Sequence, residues 1–242
     1  MNQRKTVFIM MILMLAVMLS GCGQSEAETD ARMEKAEKLL NEKYGENFVV
    51  TEYLGDNSRY KTFNVEAYAT AYPNLKFDAI VDFEGEGMQD SYVAKRVSAK
   101  VTEAMENAVS DMTCGHFIYV APLETQSTMN NPDAGVEEFL ENHKKKDFMV
   151  YLYIDQSEAE AGRIYECMEK IAKTIDCTSG YITLFLTDPD MMEEVKEYAD
   201  TQRFFRGSYK DMTTEDLVGS FRFENGVMQQ PMEELEEKME NR

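Results

Sequence analysis

Two histidines and four cysteines are the scarcest chemistry-bearing side chains of this 242-residue chain. Cys114 and His116 stand two apart in SDMTCGHFIYV, a spacing that sets both on one face of an extended segment. A thiol beside an imidazole is the beginning of a nucleophile and base. A working pair also needs a third group to orient the base, and no sequence neighbour supplies one, so packing at a strand edge is the stronger reading. His143 precedes Lys144-Lys145-Lys146, a basic triplet that suits the negative end of a helix dipole. Neither histidine belongs to an HExxH pattern and no cysteine to a CxxC, so a metal site is not expected, nor is any cofactor. GxSxG, SxxK, P-loop and EF-hand patterns are absent as well. Glu84-Gly85-Glu86-Gly87 lacks the third glycine of a nucleotide loop, and its carboxylates would repel phosphate, so it reads as a turn. The 45 acidic residues guarantee carboxylate pairs by chance, which makes such a pair no evidence for glycoside hydrolysis. Asp155 follows an apolar run, where ligands of α/β sheets gather, although helix capping explains it more simply. An enzyme is therefore not the expectation, and a surface hydrolase using carboxylates or Cys114 ranks last among the functions considered.

The elements that must position these residues alternate between helical and strand periodicity. Met33, Ala36, Leu39, Leu40 and Tyr44 recur at helical spacing before Gly45. Phe48 to Leu54 reads as a strand and GDNSR, residues 55–59, as a turn. Phe63, Val65, Ala67 and Ala69, and then Leu75, Phe77, Ala79, Val81 and Phe83, alternate with polar neighbours as two strands of a hairpin. Val93, Val97, Val101, Met105 and Met112 mark a long helix, and Phe117 to Ala121 the strand that Pro122 ends. Leu123 to Ala134, rich in Ser, Thr, Asn and Pro, is a long polar connection and the expected boundary between halves. A short helix around Val136 to His143 leads to FMVYLYI, residues 148–154, whose unbroken apolar run suits a central strand covered on both faces. Ala161, Ile164, Met168, Ile171 and Ile175 then give a helical stripe, and Tyr181 to Leu186 another buried strand, together a parallel βαβ unit. Asp188-Pro189-Asp190 starts a further helix, Leu217 to Glu224 with Asn225-Gly226 suggests a late hairpin, and an acidic helix follows Pro231. The fold class is α+β, or mixed α/β: an N-terminal helix with antiparallel hairpin strands, then βαβ-type units. Two pseudo-repeated halves, 33–122 and 135–242, are one form of it.

Three cysteines besides Cys22 leave at least one unpaired, so a disulfide framework is not expected. SDMTCGHFIYV echoes KTIDCTSGYITLFL, since in each a helix ends, a cysteine follows and an aromatic strand begins. If those strands were neighbours, Cys114 and Cys177 would be the pair that could bridge. The net charge of −20 disfavours nucleic acid and anionic lipid headgroups by repulsion and favours solubility, cationic partners or metal ions.

The N-terminus carries a different kind of chemistry. Arg4 and Lys5 precede an apolar run from Thr6 to Leu19, then the small residues Ser20 and Gly21. That order is a secretory signal's, and the run falls short of the roughly 20 residues a spanning helix needs. Leu19-Ser20-Gly21-Cys22 resembles the lipobox of bacterial lipoproteins over 22 of the 242 residues. The resemblance implies diacylglyceryl transfer to the Cys22 thiol and cleavage between Gly21 and Cys22. Two or more acyl chains hold a protein stably to a bilayer. Residues 1–21 would then be a signal peptide and residues 22–32, from lipidated Cys22 through GQSEAETDAR, a flexible linker. EKAEKLLNEKYGENFVV further resembles the openings of uncharacterised lipoproteins from Gram-positive bacteria, with no residue role attached.

Taken together, these features lead to the expectation of a lipid-anchored protein on the extracytoplasmic face of a membrane, serving as a binding or interaction module for an unidentified protein or small molecule. A small solute-binding lipoprotein of a transporter is the alternative.

Overall fold

The computed structural model describes residues 26–201 and 216–241, so the signal sequence, the lipobox and Cys22 lie outside the described residues. The first helix, α1 (Glu26–Tyr44), begins seven residues before the apolar stripe does. The segment expected to be linker up to residue 32 is therefore helical from Glu26 on. Its Glu28 pairs with Arg32 one turn later at 2.7 Å, and Arg32 also binds Tyr53 and Asp56 and lies over the rings of Phe63 and Phe83. Those contacts carry the helix past its apolar stripe, although its first residues bury little.

Four antiparallel strands form the first sheet in sequence order: β1 (Phe48–Asn57), β2 (Thr62–Ala69), β3 (Phe77–Asp82) and β4 (Met88–Asp90). Strand β1 runs past the expected turn at Gly55 because two register shifts against β2 absorb the irregularity. Gly55, at φ +111°, adopts a backbone that side-chained residues avoid. Ala36 and Leu40 of α1 close over Phe48, Phe63, Val65, Phe77 and Val81 of this sheet to make a small core.

The second sheet holds five strands in the order β5 (His116–Pro122), β6 (Asp147–Asp155), β7 (Ser179–Thr187), β8 (Leu217–Glu224) and β9 (Val227–Met228). Strands β6 and β7 are parallel and joined by α4 (Ala161–Lys173), which is the expected βαβ unit; the other pairings are antiparallel. The large core lies between one face of this sheet and α2 (Tyr92–Ala108), α3 (Val136–Glu141), α4 and α6 (Met232–Glu240). On the opposite face, Tyr153 and Phe185 stack with centroids 4.9 Å apart beneath Met192 and Val195 of α5 (Pro189–Thr201). Asp188 starts α5 by accepting from the Met191 N–H at 2.9 Å, as the Asp-Pro-Asp start requires. The fold is thus α+β, with two sheets and six helices among the described residues.

The two sheets part at residues 90–92, where β4 gives way to α2, rather than in the polar connection 123–134. Tyr92 packs in the small core and the next residue of α2, Val93, in the large one. Strand β5, placed by sequence in the first half, pairs along its whole length with β6 of the second.

That pairing also decides the cysteines. Strand β5 is antiparallel to β6 and β7 is parallel to it, so the strands led by Cys114 and Cys177 run in opposite directions on either side of β6. His116 aligns with Ile154 and Ser179 with Asp147, so those two residues lie about 23 Å apart along the strands, and each cysteine precedes its strand at opposite ends of the sheet. A Cys114–Cys177 bridge is excluded at that separation. Cys114, Cys167 and Cys177 are all free thiols.

Candidate functional site

The polar connection lines a cleft of ≈ 360 Å³ beside β4 and α3. Gln89 of β4 contributes one side, Glu124 and residues 126–131 the base, and Glu138 of α3 with Asn142 and His143 the other side. The base is held by a short bridge to β4: the Asp90 N–H donates to the Ser127 carbonyl at 3.0 Å and the Ser127 N–H to the Asp90 carbonyl at 2.8 Å.

Asp90, fully buried, is the hub behind that bridge. Its carboxylate accepts from Lys43 Nζ at 2.7 Å, from the Tyr44 hydroxyl at 2.7 Å and from the Tyr92 N–H at 3.0 Å. The Tyr44 hydroxyl also lies 3.1 Å from the Met129 carbonyl, so α1 grips the cleft segment directly. Burial, followed by the nearby Asp90 charge, drives the Tyr44 phenol well above its ordinary range and keeps it a neutral donor.

Most donors on the opposite wall are already committed. Asn131 Nδ2 donates to both Glu138 carboxylate oxygens at 2.9 Å, and Asn142 Nδ2 to the Glu138 carbonyl at 2.8 Å. Glu124 accepts from the Lys144 and Lys145 N–H groups at 2.8 and 3.0 Å, which holds its carboxyl below the usual range. The side chains of the Lys144-Lys145-Lys146 triplet are exposed, and its backbone is capped by Glu124 after α3 has ended at Glu141.

Two acceptors remain. His143 is buried against the Phe139 ring, centroids 3.9 Å apart, with its Nδ1 2.7 Å from the Phe139 carbonyl. A carbonyl can only accept, so Nδ1 carries a proton, and in that tautomer Nε2 offers a lone pair. That Nε2 and the Gln126 Oε1 are both shielded and have no hydrogen-bond partner. A buried acceptor without a partner costs roughly 1–3 kcal/mol, and both of these belong to residues lining the same cleft.

Cys114 and His116 are arranged differently from a nucleophile and its base. His116 Nδ1 lies 3.1 Å from the Cys114 carbonyl and Nε2 3.0 Å from Glu106 Oε2, so acceptors occupy both nitrogens. Glu106 is the orienting carboxylate that proximity in sequence did not show; its other oxygen accepts from the Ile118 N–H at 3.2 Å. Chiefly through that hydrogen bond, Glu106 raises the His116 pKa above its ordinary 6.5, while burial raises the Cys114 thiol's. Acceptors on both nitrogens favour the protonated ring and leave no lone pair aimed at the sulfur. Cys114 instead faces a second cleft of ≈ 250 Å³ with Met112 and Cys167, and burial pushes the Cys167 thiol up to about 12. Asp155 caps the turn after β6, accepting from the Ser157 N–H and hydroxyl at 2.9 and 2.7 Å.

Among the described residues, no group of three or more His, Cys, Asp or Glu side chains is arranged to hold a metal ion, and no helix is long and apolar enough to cross a membrane.

No family model and no curated protein matches the chain. Among solved structures, the fold is similar to that of a DUF5037 family protein from Ruminococcus gnavus. The TM-score is 0.60 at 14% identity, covering 87% of this chain and 99% of that one. At that identity the likeness shows a shared fold.

The residues at this cleft were not singled out as a group by the sequence. The abundance of amides and hydroxyls in 123–134 is the available signal, and by composition alone it marks a boundary. The spacing of His143 from Val136, Phe139 and Leu140 accounts for its buried ring, which lies two residues past the end of α3, but not for its unpartnered nitrogen.

Proposed function

We propose that the chain is a lipid-anchored extracytoplasmic binding module that takes a small polar ligand into the cleft beside β4 and α3. The observation that carries the binding role is a polar cleft of ≈ 360 Å³ whose lining brings together the side-chain amides of Gln89, Gln126 and Asn130 with the Glu124 and Glu138 carboxylates. A concave site with several convergent polar groups is where a small polar ligand is held. The anchor rests on Leu19-Ser20-Gly21-Cys22 behind its apolar run, and the acidic body would be repelled by an anionic bilayer, leaving attachment to the lipid. The position of the cleft beside β4 of the first sheet and α3 of the large core also supports the alternative of a solute-binding lipoprotein that serves a transporter.

Two measurements test this reading. Replacing Cys22 with Ala should move the protein from the membrane fraction to the soluble fraction with unchanged circular dichroism; retention on the membrane refutes the anchor. A thermal-shift screen of small polar solutes on the detergent-extracted protein should find stabilisation that Gln126→Leu removes. A screen in which every shift survives that substitution assigns the binding elsewhere.

A further inference from the structure

We infer that Cys114 and Cys167 form a redox couple, a dithiol that a low-molecular-weight disulfide oxidises to a Cys114–Cys167 bridge across the second cleft. The couple is independent of the polar cleft and of the lipid anchor, and it gives the Cys114 thiol a partner that His116 does not supply.

Both residues line the cleft of ≈ 250 Å³ between α4 and the segment that follows α2, and both pack in or against the large core. The exposed Cys177 is not part of that lining. The segment from Asp111 to Cys114 meets α4 on either side of Cys167. Lys170, three residues after Cys167, donates from Nζ to the two Asp111 carboxylate oxygens at 2.7 and 2.9 Å. Arg163, four residues before Cys167, brings its charge to bear on the Cys114 thiol, opposing the burial that raises it. Positions i−4, i and i+3 share one helix face, so Cys167 sits on the stretch of α4 that meets Asp111 at one end and Cys114 at the other. Burial, and then the neighbouring Cys114, push the Cys167 thiol up to about 12. A cysteine side chain turns on a single torsion, and both residues border open cleft, so the sulfurs can meet without displacing the core. Exchange proceeds in two steps. The Cys114 thiolate, the less buried of the two, attacks one sulfur of the small disulfide and expels a thiolate, which takes up a proton. Cys167 gives its proton to solvent and attacks the Cys114 sulfur of the mixed disulfide, and the second small thiolate leaves. Two protein thiols are oxidised and one disulfide is reduced to two thiols. Because both protein thiols titrate above their ordinary range, little thiolate is present at neutral pH, and the couple suits a lasting bridge rather than a fast sensor.

The test treats the full-length protein in detergent micelles with oxidised glutathione at mildly alkaline pH, where more of each thiol is ionised, and then blocks the remaining thiols with iodoacetamide. Peptide mapping without reduction should find Cys114 joined to Cys167, and dithiothreitol should return both as free thiols. The melting temperature of the oxidised protein should exceed that of the reduced protein by about 4–16 °C, as expected for one bridge in a domain of this size. Cys167→Ala should leave glutathione trapped on Cys114, because nothing resolves the mixed disulfide. Cys114→Ser, at the less buried position, should leave Cys167 unmodified and remove the rise in melting temperature. The parent protein decides the matter even where a variant folds poorly: glutathione retained on Cys114, a Cys114 left unmodified, a bridge from either residue to Cys177, or a Cys114–Cys167 bridge that fails to raise the melting temperature would each overturn the inference.

Discussion

Replacing Asp90 with Asn tests whether the hub between the sheets holds them together. The side chain is fully buried and accepts from Lys43 Nζ, Tyr44 Oη and the Tyr92 N–H, all within 3.0 Å. Asparagine is nearly isosteric and its oxygen can still accept from Tyr44 and Tyr92, but its amide nitrogen then faces the Lys43 ammonium donor to donor. Breaking a buried pair from one side costs about 3–5 kcal/mol, since the remaining charge is left uncompensated. Lys43 is 13% exposed and has the Ser127 carbonyl 3.5 Å away, so it can recover some solvation, which puts the expectation near the lower limit, at about 3 kcal/mol. For a domain of this size that is a fall of about 6–12 °C in melting temperature, and urea unfolding at neutral pH measures the free energy directly. Lys43→Met supplies the second arm. In Asp90→Asn/Lys43→Met no unpaired ammonium remains, so the double variant should recover at least half of the loss. A loss below 1 kcal/mol for the single variant, or simple additivity in the double, would show that the pair does not carry the junction.

Three further substitutions probe separate parts of the structure. Burial lowers the Lys95 pKa from its ordinary 10.5 to about 8, with Asp78 opposing the shift, so between pH 8 and 10.5 the folded state binds fewer protons than the unfolded state and stability rises with pH. Lys95→Met should be about 2–3 kcal/mol more stable than the parent at pH 7, with the gap closing as pH rises through that window; a gap independent of pH contradicts a buried ammonium. For His116, whose pKa Glu106 raises, the stabilisation is fully present below pH 6.5 and is lost as pH rises through the higher folded value. Glu106→Gln should lower the His116 midpoint in an NMR titration, and an unmoved midpoint removes Glu106 as the cause. A Cβ on Gly180 would lie 2.4 Å from the Phe148 carbonyl oxygen and 2.5 Å from the buried Phe223 ring, so Gly180→Ala should cost about 1–3 kcal/mol in urea, and a neutral result means β7 shifts freely against β6.

Elements with a strong period were legible. FMVYLYI became the central strand β6, and the stripe from Ile164 to Ile171 put α4 on the large core, because burial on two faces or one helical face leaves a pattern that can be counted. Strand β4 was missed because its three residues, set off by Gly85 and Gly87, are too few for any period. The direction of β5 was missed for another reason. Alternation shows which side chains share a face but says nothing about whether a neighbouring strand runs up or down, and the Cys114–Cys177 pairing depended on that direction. The cleft was hidden by distance in sequence: Gln89, Gln126 and His143 come from three separate segments, and an unpartnered acceptor is a property of what fails to arrive in the fold.

The hub and the cleft belong to one piece of construction. Ser127, whose backbone bridges to Asp90, lies next to Gln126, and the Met129 carbonyl that meets Tyr44 lies two residues further on. The side chain meant to receive a ligand therefore sits on backbone fixed by a buried carboxylate rather than on a free loop. A segment of twelve residues with few apolar side chains would otherwise sample many conformations, at roughly 1–2 kcal/mol for each residue ordered on binding. Because that ordering is already supplied by α1 and β4, ligand affinity need not cover it. Loosening Asp90 should consequently weaken binding at Gln126 without any contact between the two side chains and the ligand. Asp90→Asn, studied well below its melting temperature, should reduce affinity for a solute found by the thermal-shift screen chiefly through a less favourable binding entropy, whereas Gln126→Leu should reduce it through enthalpy. Equal signatures for the two variants would mean that the hub does not preorganise the cleft.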